Sequence, residues 1–365
     1  MRTFIFWQYA LSIHQSAFLK NIAKSNKVIL LVSKEYSENR KALGWTAPNF
    51  GEVDVRVDAS SSQVESVFKN HPNAIHVFGG IDAFQFVYEA FKRAIALNSH
   101  ILVYLETVNL KGLKGILRFI KYKLLFLRYE RKIQGILATG LTARSCFVKI
   151  GFPENKIFDW GYFTENPEMR RDTQVMERGK PSYLYVGALI KRKNILSVLK
   201  TVEKYSEHFH KFTIVGVGPL ENEIKKLSNI HSKIYFLGGV VNTEVFEQME
   251  SHDYLVLPSF FDGWGAVVNE ALMSGMKVLV SEQCGASALV SQQSVGYIFN
   301  PFSEESFENA FKKSLDSGIV NIATRTSIKV WASNTISGPV VSNYFENIIE
   351  HIFDGSDEVQ SAPWL

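Results

Sequence analysis

Hydrophobic residues in the first half of the chain fall into short apolar runs that alternate with longer amphipathic segments. Short apolar runs are typical of buried strands, and they lie at Thr3–Trp7, Lys27–Val32, Ala74–Phe78, Ile101–Leu105 and Gly135–Thr139. The segments between them predict helices at Gln15–Lys24, Ser62–Asn70, Ala83–Leu97 and Thr142–Lys149. Strands alternating with helices indicate a parallel sheet with helices on both faces.

The same alternation restarts after a polar, charged stretch from Tyr162 to Pro181, which we interpret as a linker. Further strands are predicted at Tyr183–Val186, Phe212–Val215, Ile234–Leu237, Tyr254–Leu257 and Lys277–Val280, and late helices near Thr324–Trp331 and Pro339–Phe353. The pattern therefore predicts an α/β protein with two doubly wound parallel-sheet domains, at 1–165 and 182–336, followed by a C-terminal helix at 339–353. We expect the tail after Asp354 to be frayed.

Length and composition agree with a globular, two-domain chain, since its 365 residues are 46% hydrophobic and 21% charged. Cys146 and Cys284 are far apart and form no metal-binding spacing, so we expect neither disulfide nor zinc and infer a reducing, cytoplasmic location. Gln8 interrupts the first apolar run, which predicts a strand and not a signal peptide. No run approaches the roughly 18 apolar residues of a membrane-spanning helix.

Positive charge is concentrated between Lys111 and Lys132, where eight bases face a single acid, Glu130. Apolar residues are interleaved with these bases, a pattern typical of a helix that lies in an anionic membrane interface. A core helix with a solvated basic face is the alternative. Nucleic-acid binding is a second one, but no RNA-binding signature accompanies the bases, and we expect no nucleic-acid partner.

The segment from Pro258 to Gly275 carries two carboxylates, Asp262 and Glu270, on either side of a glycine-flanked helix start. Glycines let the backbone approach a ligand closely, and the amides of a first helical turn bind phosphate. Carboxylates accept hydrogen bonds from vicinal hydroxyls, so this spacing predicts a sugar nucleotide, with ribose near Glu270 and the transferred sugar near Asp262. The donor-binding residues predicted here are Gly263, Trp264, Gly265, Ala266, Val267 and Glu270.

Two further segments of the second half add to this donor site. Arg192 and Lys193 stand after a strand-end glycine, Gly187, where fixed cations would stabilise a departing diphosphate without a metal. Gly216 and Gly218 form a strand-to-helix turn that lacks the third glycine of the dinucleotide fingerprint.

Over roughly residues 180–320 the sequence resembles the family 4 retaining glycosyltransferases of the GT-B fold, whose motif places two Glu residues eight positions apart. Asp262 stands for the first Glu, Trp264 for a Phe, and Asn194 for a Gly that usually follows the cationic pair. The resemblance implies two Rossmann-like domains facing an interdomain cleft, with the last helix crossing back to the first domain. It also assigns Arg192 and Lys193 to the pyrophosphate, Asp262 to the sugar, and the backbone at Gly239 and Val240 to the base.

Chemistry in the first domain is indicated by two residues. Glu106 stands where the family commonly has a histidine, at the end of a strand, and is a candidate catalytic or acceptor-orienting residue. His14, in the loop after the first strand, is a candidate acceptor-binding residue. A structural, salt-bridged acid and an ordinary loop histidine are the alternatives for these two residues.

The function expected from these residues is transfer of a hexose-type sugar from a nucleoside diphosphate sugar to a glycan, expected to be lipid-linked, in bacterial surface polysaccharide assembly. The enzyme would be peripheral on the inner face of the cytoplasmic membrane, with no metal and no cofactor besides the donor substrate. Two alternatives stay open, a similarly folded nucleotide-sugar 2-epimerase and a catalytically silent sugar-nucleotide-binding or scaffold subunit.

Overall fold

The computed structural model describes residues 1–35, 48–165, 179–290, 294–356 and 360–365. These form two compact units. Unit 1 contains the described residues of 1–165 and of 337–363, and unit 2 contains those of 179–336 with Trp364–Leu365. Most of the predicted linker, residues 166–178, lies outside the described residues, whereas Phe163 and Thr164 at its start are buried.

Thirteen strands and twelve helices are present in the described part of the chain. The strands are β1 Thr3–Ala10, β2 Lys27–Lys34, β3 Asp54–Val57, β4 Ile75–Gly79, β5 His100–Glu106, β6 Gly135–Thr139, β7 Ile157–Trp160, β8 Ser182–Val186, β9 Lys211–Val215, β10 Ile234–Gly238, β11 Tyr254–Leu257, β12 Lys277–Ser281 and β13 Gly296–Phe299. The helices are α1 Ile13–Ile22, α2 Ser61–Asn70, α3 Gln85–Ala96, α4 Gly112–Tyr129, α5 Ala143–Ile150, α6 Ile195–Lys204, α7 Glu221–Ile230, α8 Asn242–Glu250, α9 Val267–Met273, α10 Glu304–Ser317, α11 Ile322–Ile336 and α12 Gly338–Asp354.

Unit 1 is built on a seven-stranded parallel sheet in the order β3-β2-β1-β4-β5-β6-β7. Its centre is aromatic, since Trp7 of β1 stacks on Phe68 of α2 and on Phe78 of β4 with ring centroids 5.4 and 6.0 Å apart. Helix α12, although last in the chain, packs on α1 of this unit. Phe345 contacts Phe18 edge-on at 5.1 Å, and the hydroxyl of Ser342 donates to the Phe18 carbonyl at 3.1 Å.

Unit 2 contains a six-stranded parallel sheet in the order β10-β9-β8-β11-β12-β13. In each sheet the chain moves outward from the first strand on one side and then returns to build the other side. The loops at the carboxyl ends of the two central strands therefore diverge, which opens the crevice where doubly wound sheets bind ligands. The predicted fold class, two Rossmann-like parallel-sheet units, is confirmed.

Sequence reasoning missed three strands, β3, β7 and β13. Each has four residues, and β3 and β13 lie toward solvent with half-exposed side chains, so no continuous apolar run marks them. The expectation of a frayed tail is wrong for its final residues, because Ala362 and Trp364 are buried. A large aromatic side chain near the chain end can be covered by a folded unit whatever its position in the sequence.

Candidate functional site

Asp262 is held in place by backbone bonds from a distant segment. It follows β11, and its amide donates to the Gln283 carbonyl at 3.0 Å, while its own carbonyl accepts from the Gly285 amide at 3.1 Å. A short bridge to Cys284 adds a parallel pairing after β12. The loop that carries the carboxylate is therefore an extension of the sheet edge and not a free turn.

The carboxylate of Asp262 forms a short ion pair with the ammonium of Lys193, and both side chains are largely buried. Arg192 lies further out, with its guanidinium 3.9 Å from the same carboxylate, and it donates to the Phe261 carbonyl. The structure thus brings together Arg192, Lys193 and Asp262, three residues that the sequence predicted separately. Two cations converge on one anion, with Lys193 the more enclosed.

The cations precede helix α6 and are not part of it. Lys191–Lys193 form a 3-10 turn, and Asn194 is the N-cap of α6 with a left-handed backbone, φ 58°. Its buried amide donates to the Pro258 carbonyl at 3.2 Å. Asn tolerates left-handed φ better than most residues, so Asn194 fits a position where Gly is common. It also ties the turn to the end of β11.

Glu270 lies in the first turn of α9 and is almost completely buried. Burial raises the pKa of its carboxyl from 4.5 to about 7, and among the described residues burial is the cause of that rise. A carboxyl in such surroundings binds hydroxyl groups well, since they supply the hydrogen bonds that water no longer provides.

The loop before α9 contains four of the predicted donor-binding residues. The helix begins at Val267 with Ala266 as N-cap, so Gly265 and Ala266 precede it. Gly265 has φ +97°, and a Cβ on it would lie 2.7 Å from the Leu257 side chain. The indole of Trp264 is buried and donates to the Asn269 side chain at 2.7 Å, so its role in the structure is to pack under the loop. Gly263 is buried as well.

Gly216 and Gly218 of the predicted turn are required by close backbone contacts that the sequence did not indicate. A Cβ on Gly216 would lie 1.9 Å from the Gly187 carbonyl oxygen, and one on Gly218 would lie 2.6 Å from the Leu189 carbonyl oxygen. Glycine is required at both positions because the loops after β8 and β9 touch each other. Gly239 and Val240 follow β10, whose last residue, Gly238, accepts from the Gly216 amide at 2.8 Å.

In unit 1, Glu106 and His14 lie near a residue that the sequence did not single out, Tyr162. Its hydroxyl donates to the Glu106 carboxylate at 2.7 Å, and its ring stacks on His14 with centroids 6.3 Å apart. Glu106 ends β5 opposite Thr139 at the end of β6, so the group stands at the carboxyl edge of the sheet. Because Tyr162 belongs to the stretch interpreted as a linker, no sequence pattern pointed to it.

Helix α4 exposes an apolar stripe, defined by residues at helical spacing on one face: Leu113, Ile116, Leu117, Ile120, Leu124 and Leu127. Phe119 of the same helix packs against the core of unit 1. Lys123 and Arg128 lie over aromatic rings of the same helix. Among the described helices none has both the length and the apolar character needed to cross a membrane.

Within the described ranges, no group of three or more His, Cys, Asp or Glu side chains could hold a metal ion.

Residues 168–329 match the family profile described as Glycosyl transferases group 1. An uncharacterized glycosyltransferase of Methanocaldococcus jannaschii is 27% identical over 189 residues, covering 49% of this chain and 48% of the relative. The UDP-Gal:alpha-D-GlcNAc-diphosphoundecaprenol alpha-1,3-galactosyltransferase of Escherichia coli is 26% identical over 158 residues, covering 41% and 40%. The chain spans about half the length, or less, of these curated relatives.

The fold as a whole is similar to solved glycosyltransferase structures. HepE of Anabaena in complex with UDP superposes with a TM-score of 0.71 at 12% identity, covering 96% of this chain and all of that one. At this identity the likeness concerns the fold, which is GT-B.

Proposed function

We propose that this protein is a retaining glycosyltransferase that moves a hexose-type sugar from a nucleoside diphosphate sugar to a growing glycan. The observation that carries the proposal is the ion pair of Lys193 with Asp262 in the loop after β11, together with the buried Glu270 in α9, the helix that follows this loop. Each group of a nucleoside diphosphate sugar would have a partner here: the two cations for the diphosphate, Asp262 for the sugar and Glu270 for the ribose.

Donor binding would rearrange these charges. The diphosphate takes the ammonium of Lys193 and the guanidinium of Arg192 as counterions, which releases Asp262 to accept hydrogen bonds from the sugar. Glu270 accepts hydrogen bonds from the ribose hydroxyls. As the sugar–phosphate bond breaks, negative charge grows on the leaving diphosphate, and the two cations stabilise that charge more than the ground state.

The proposed chemistry is front-face displacement. The acceptor oxygen bonds to the anomeric carbon on the side from which the diphosphate leaves, and a diphosphate oxygen takes the acceptor proton. No side chain is assigned as general base. Neither this step nor donor binding requires a divalent metal, so activity should persist in EDTA.

The acceptor is proposed to be lipid-linked, within bacterial surface polysaccharide assembly, and reached from the inner face of the cytoplasmic membrane. The support is the apolar stripe of α4, which with its flanking bases suits an anionic interface. The helix also begins six residues after Glu106, at the same sheet edge. A relative that acts on a diphosphoundecaprenol-linked sugar agrees with this assignment.

The test begins with thermal shift against nucleoside diphosphates, uridine diphosphate first since a structural neighbour binds it. A ligand at 100 times its dissociation constant stabilises by about 2.7 kcal/mol. The nucleotide that binds then defines the sugar donors to be assayed for transfer to a lipid-linked glycan, with Lys193→Ala as the inactive control. Failure of every nucleotide to shift the wild type would contradict the proposal, and donor epimerisation without transfer would favour the epimerase alternative.

A further inference from the structure

A stacked aromatic pair and a lysine stand at the carboxyl edge of the unit 1 sheet, apart from Glu106, Tyr162 and His14. Tyr9, near the end of β1, stacks on Phe84, the N-cap of α3, with centroids 4.0 Å apart and planes 10° from parallel. This is the shortest ring separation among the aromatic pairs of the described residues. The ammonium of Lys34, the last residue of β2, lies 4.3 Å from the centre of the Tyr9 ring.

The three side chains meet at the topological switch point of this sheet. Strand β1 pairs with β2 on one side and β4 on the other, and Phe84 lies in the connection that leaves β4 for α3. Ligands of doubly wound sheets bind outside the carboxyl ends of the strands at such a point. The group, which we call the Tyr9 platform, therefore occupies the position where the topology alone predicts a ligand.

Packing alone does not account for the platform. Tyr9 and Phe84 each keep 37% of their surface exposed, although aromatic pairs ordinarily contribute to stability through burial. Lys34 has no carboxylate within ion-pair distance among the residues with described positions. Lys92, Lys204 and Lys225 also lie over rings, but each of them pairs with a glutamate, whereas Lys123 lies over its ring at a longer distance, 5.8 Å. The charge of Lys34 is thus available to a ligand.

We propose that the Tyr9 platform binds a pyranose bearing an anionic group, a carboxylate or a phosphate, in the acceptor glycan. The apolar C–H face of the sugar packs on the exposed aromatic surface, and the anion pairs with the Lys34 ammonium. This inference rests on the proposed function, for which it names the acceptor chemistry.

The distance from the Tyr9 platform to Glu106 indicates which sugar unit of the acceptor glycan the platform binds. Strand β5, which ends at Glu106, lies two positions from β1 in the sheet, and neighbouring strands are about 4.8 Å apart. The platform is therefore about 10 Å along the sheet edge from Glu106, more than the width of one pyranose ring. It holds a sugar beside the reacting one and selects the acceptor by the charge of that neighbour.

The test is a titration of the full chain with glucose 6-phosphate, glucuronate, glucose and inorganic phosphate, followed by saturation-transfer NMR. Both anionic sugars should bind at least tenfold more tightly than glucose or inorganic phosphate. Lys34→Gln should bring their affinities down to that of glucose, and Phe84→Ala should weaken both at least tenfold. Phe84→Leu keeps the apolar bulk and is the folding control for Phe84→Ala. Lys92→Gln replaces another lysine that lies over a tyrosine ring, and it should leave the affinities for all four ligands unchanged.

Binding to the cations of unit 2 is excluded by repeating the titration with Lys193→Ala, which should leave sugar binding unchanged. Loss of binding in Lys193→Ala but not in Lys34→Gln would overturn the inference, as would equal affinity for glucose and glucose 6-phosphate. Tight binding of inorganic phosphate alone would reduce the site to a simple anion site and also overturn it. Nucleoside diphosphate binding is measured on the same samples. If it persists while sugar binding fails, this inference is wrong but the proposed function is not contradicted.

Discussion

At the scale of single residues, the buried position of Glu270 lowers the free energy of unfolding once its carboxyl must ionise. The folded protein holds its proton up to about pH 7, whereas the unfolded chain releases it near 4.5. The contribution of Glu270 to the free energy of unfolding is therefore at its maximum below pH 4.5, and it decreases as the pH rises to about 7. Each pKa unit corresponds to about 1.4 kcal/mol, so the buried carboxylate destabilises the protein by about 3 kcal/mol above pH 7.

Glu270→Gln should consequently stabilise the protein at pH 8 by up to about 3 kcal/mol while having little effect at pH 4.5. Urea unfolding of wild type and variant at the two pH values measures the difference. The same substitution should weaken nucleoside diphosphate binding, because the amide replaces one acceptor oxygen by a donor. A variant no more stable than wild type at pH 8 would show that the carboxyl is not desolvated.

Because Asp262 pairs with Lys193, we expect one substitution of Asp262 to have opposite effects on nucleotide affinity and on turnover. Asp262→Asn removes the anion that competes with a diphosphate for Lys193, so nucleoside diphosphate should bind about fivefold more tightly, a gain of about 1 kcal/mol. Sugar transfer should nevertheless decrease at least a hundredfold, since the carboxylate is lost to the sugar. Calorimetry and a transfer assay measure the two effects separately.

Asp262→Glu is the matched control for that experiment, because it keeps the charge and restores the residue common in the resembling family. We expect nucleotide affinity close to wild type and substantial transfer. Weaker nucleotide binding in Asp262→Asn would mean that the carboxylate supports the diphosphate site and does not compete with it.

At the scale of elements, the turn before α6 depends on Asn194. Asn194→Ala keeps a Cβ at φ 58° and loses the bond to the Pro258 carbonyl, so we expect a loss of about 1 to 3 kcal/mol in the free energy of unfolding. Asn194→Gly loses the bond but relieves the backbone, and should cost less. Thermal unfolding compares the variants, and equal losses for Ala and Gly would argue that the left-handed backbone carries no energy here.

Helix α4 is the element on which the proposed membrane binding would depend. Leu113, Leu117 and Leu124 of the apolar stripe contribute buried area in an interface, so replacing all three with Gln should reduce binding to vesicles with anionic lipid at least tenfold. Replacing Lys114 and Lys123 with Gln should weaken it by about 1 kcal/mol each at low salt. Vesicle sedimentation measures both effects.

Ile230→Gln is the control for the stripe, since Ile230 is 72% exposed and belongs to a different helix, α7 of unit 2. It should bind vesicles like wild type. If the triple leucine variant also binds like wild type, the alternative of a core helix with a solvated basic face is favoured.

How far the sequence predicts these elements depends on burial. Continuous apolar runs predicted the central strands to within a few residues, because both faces of a central parallel strand are covered. Strand β3, with the sequence Asp-Val-Arg-Val, has no such run and was missed. The spacing of Asp262 and Glu270 pointed to the candidate site, but their surroundings depend on partners from distant segments. Lys193 lies 69 residues from Asp262, and no local pattern encodes that pairing.

At the scale of the whole molecule, the chain order of unit 1 matters. Its first part ends at residue 165, and its last helix, α12, begins only at residue 338, after nearly all of unit 2. The aromatic face formed by Phe4, Phe6 and Phe18 is completed by Phe345 from α12. Unit 1 therefore requires a segment from the far end of the sequence, whereas unit 2 is nearly continuous.

This order has a consequence for biosynthesis. Ribosomes add about 5 to 20 residues per second, so roughly 10 to 35 s pass between the emergence of the first part of unit 1 and that of α12. During this interval the phenylalanines that α12 covers are exposed on the nascent chain, while unit 2 can fold behind them. The second unit to be synthesised is thus free to finish first, and we expect chaperones to bind the aromatic face of the nascent chain.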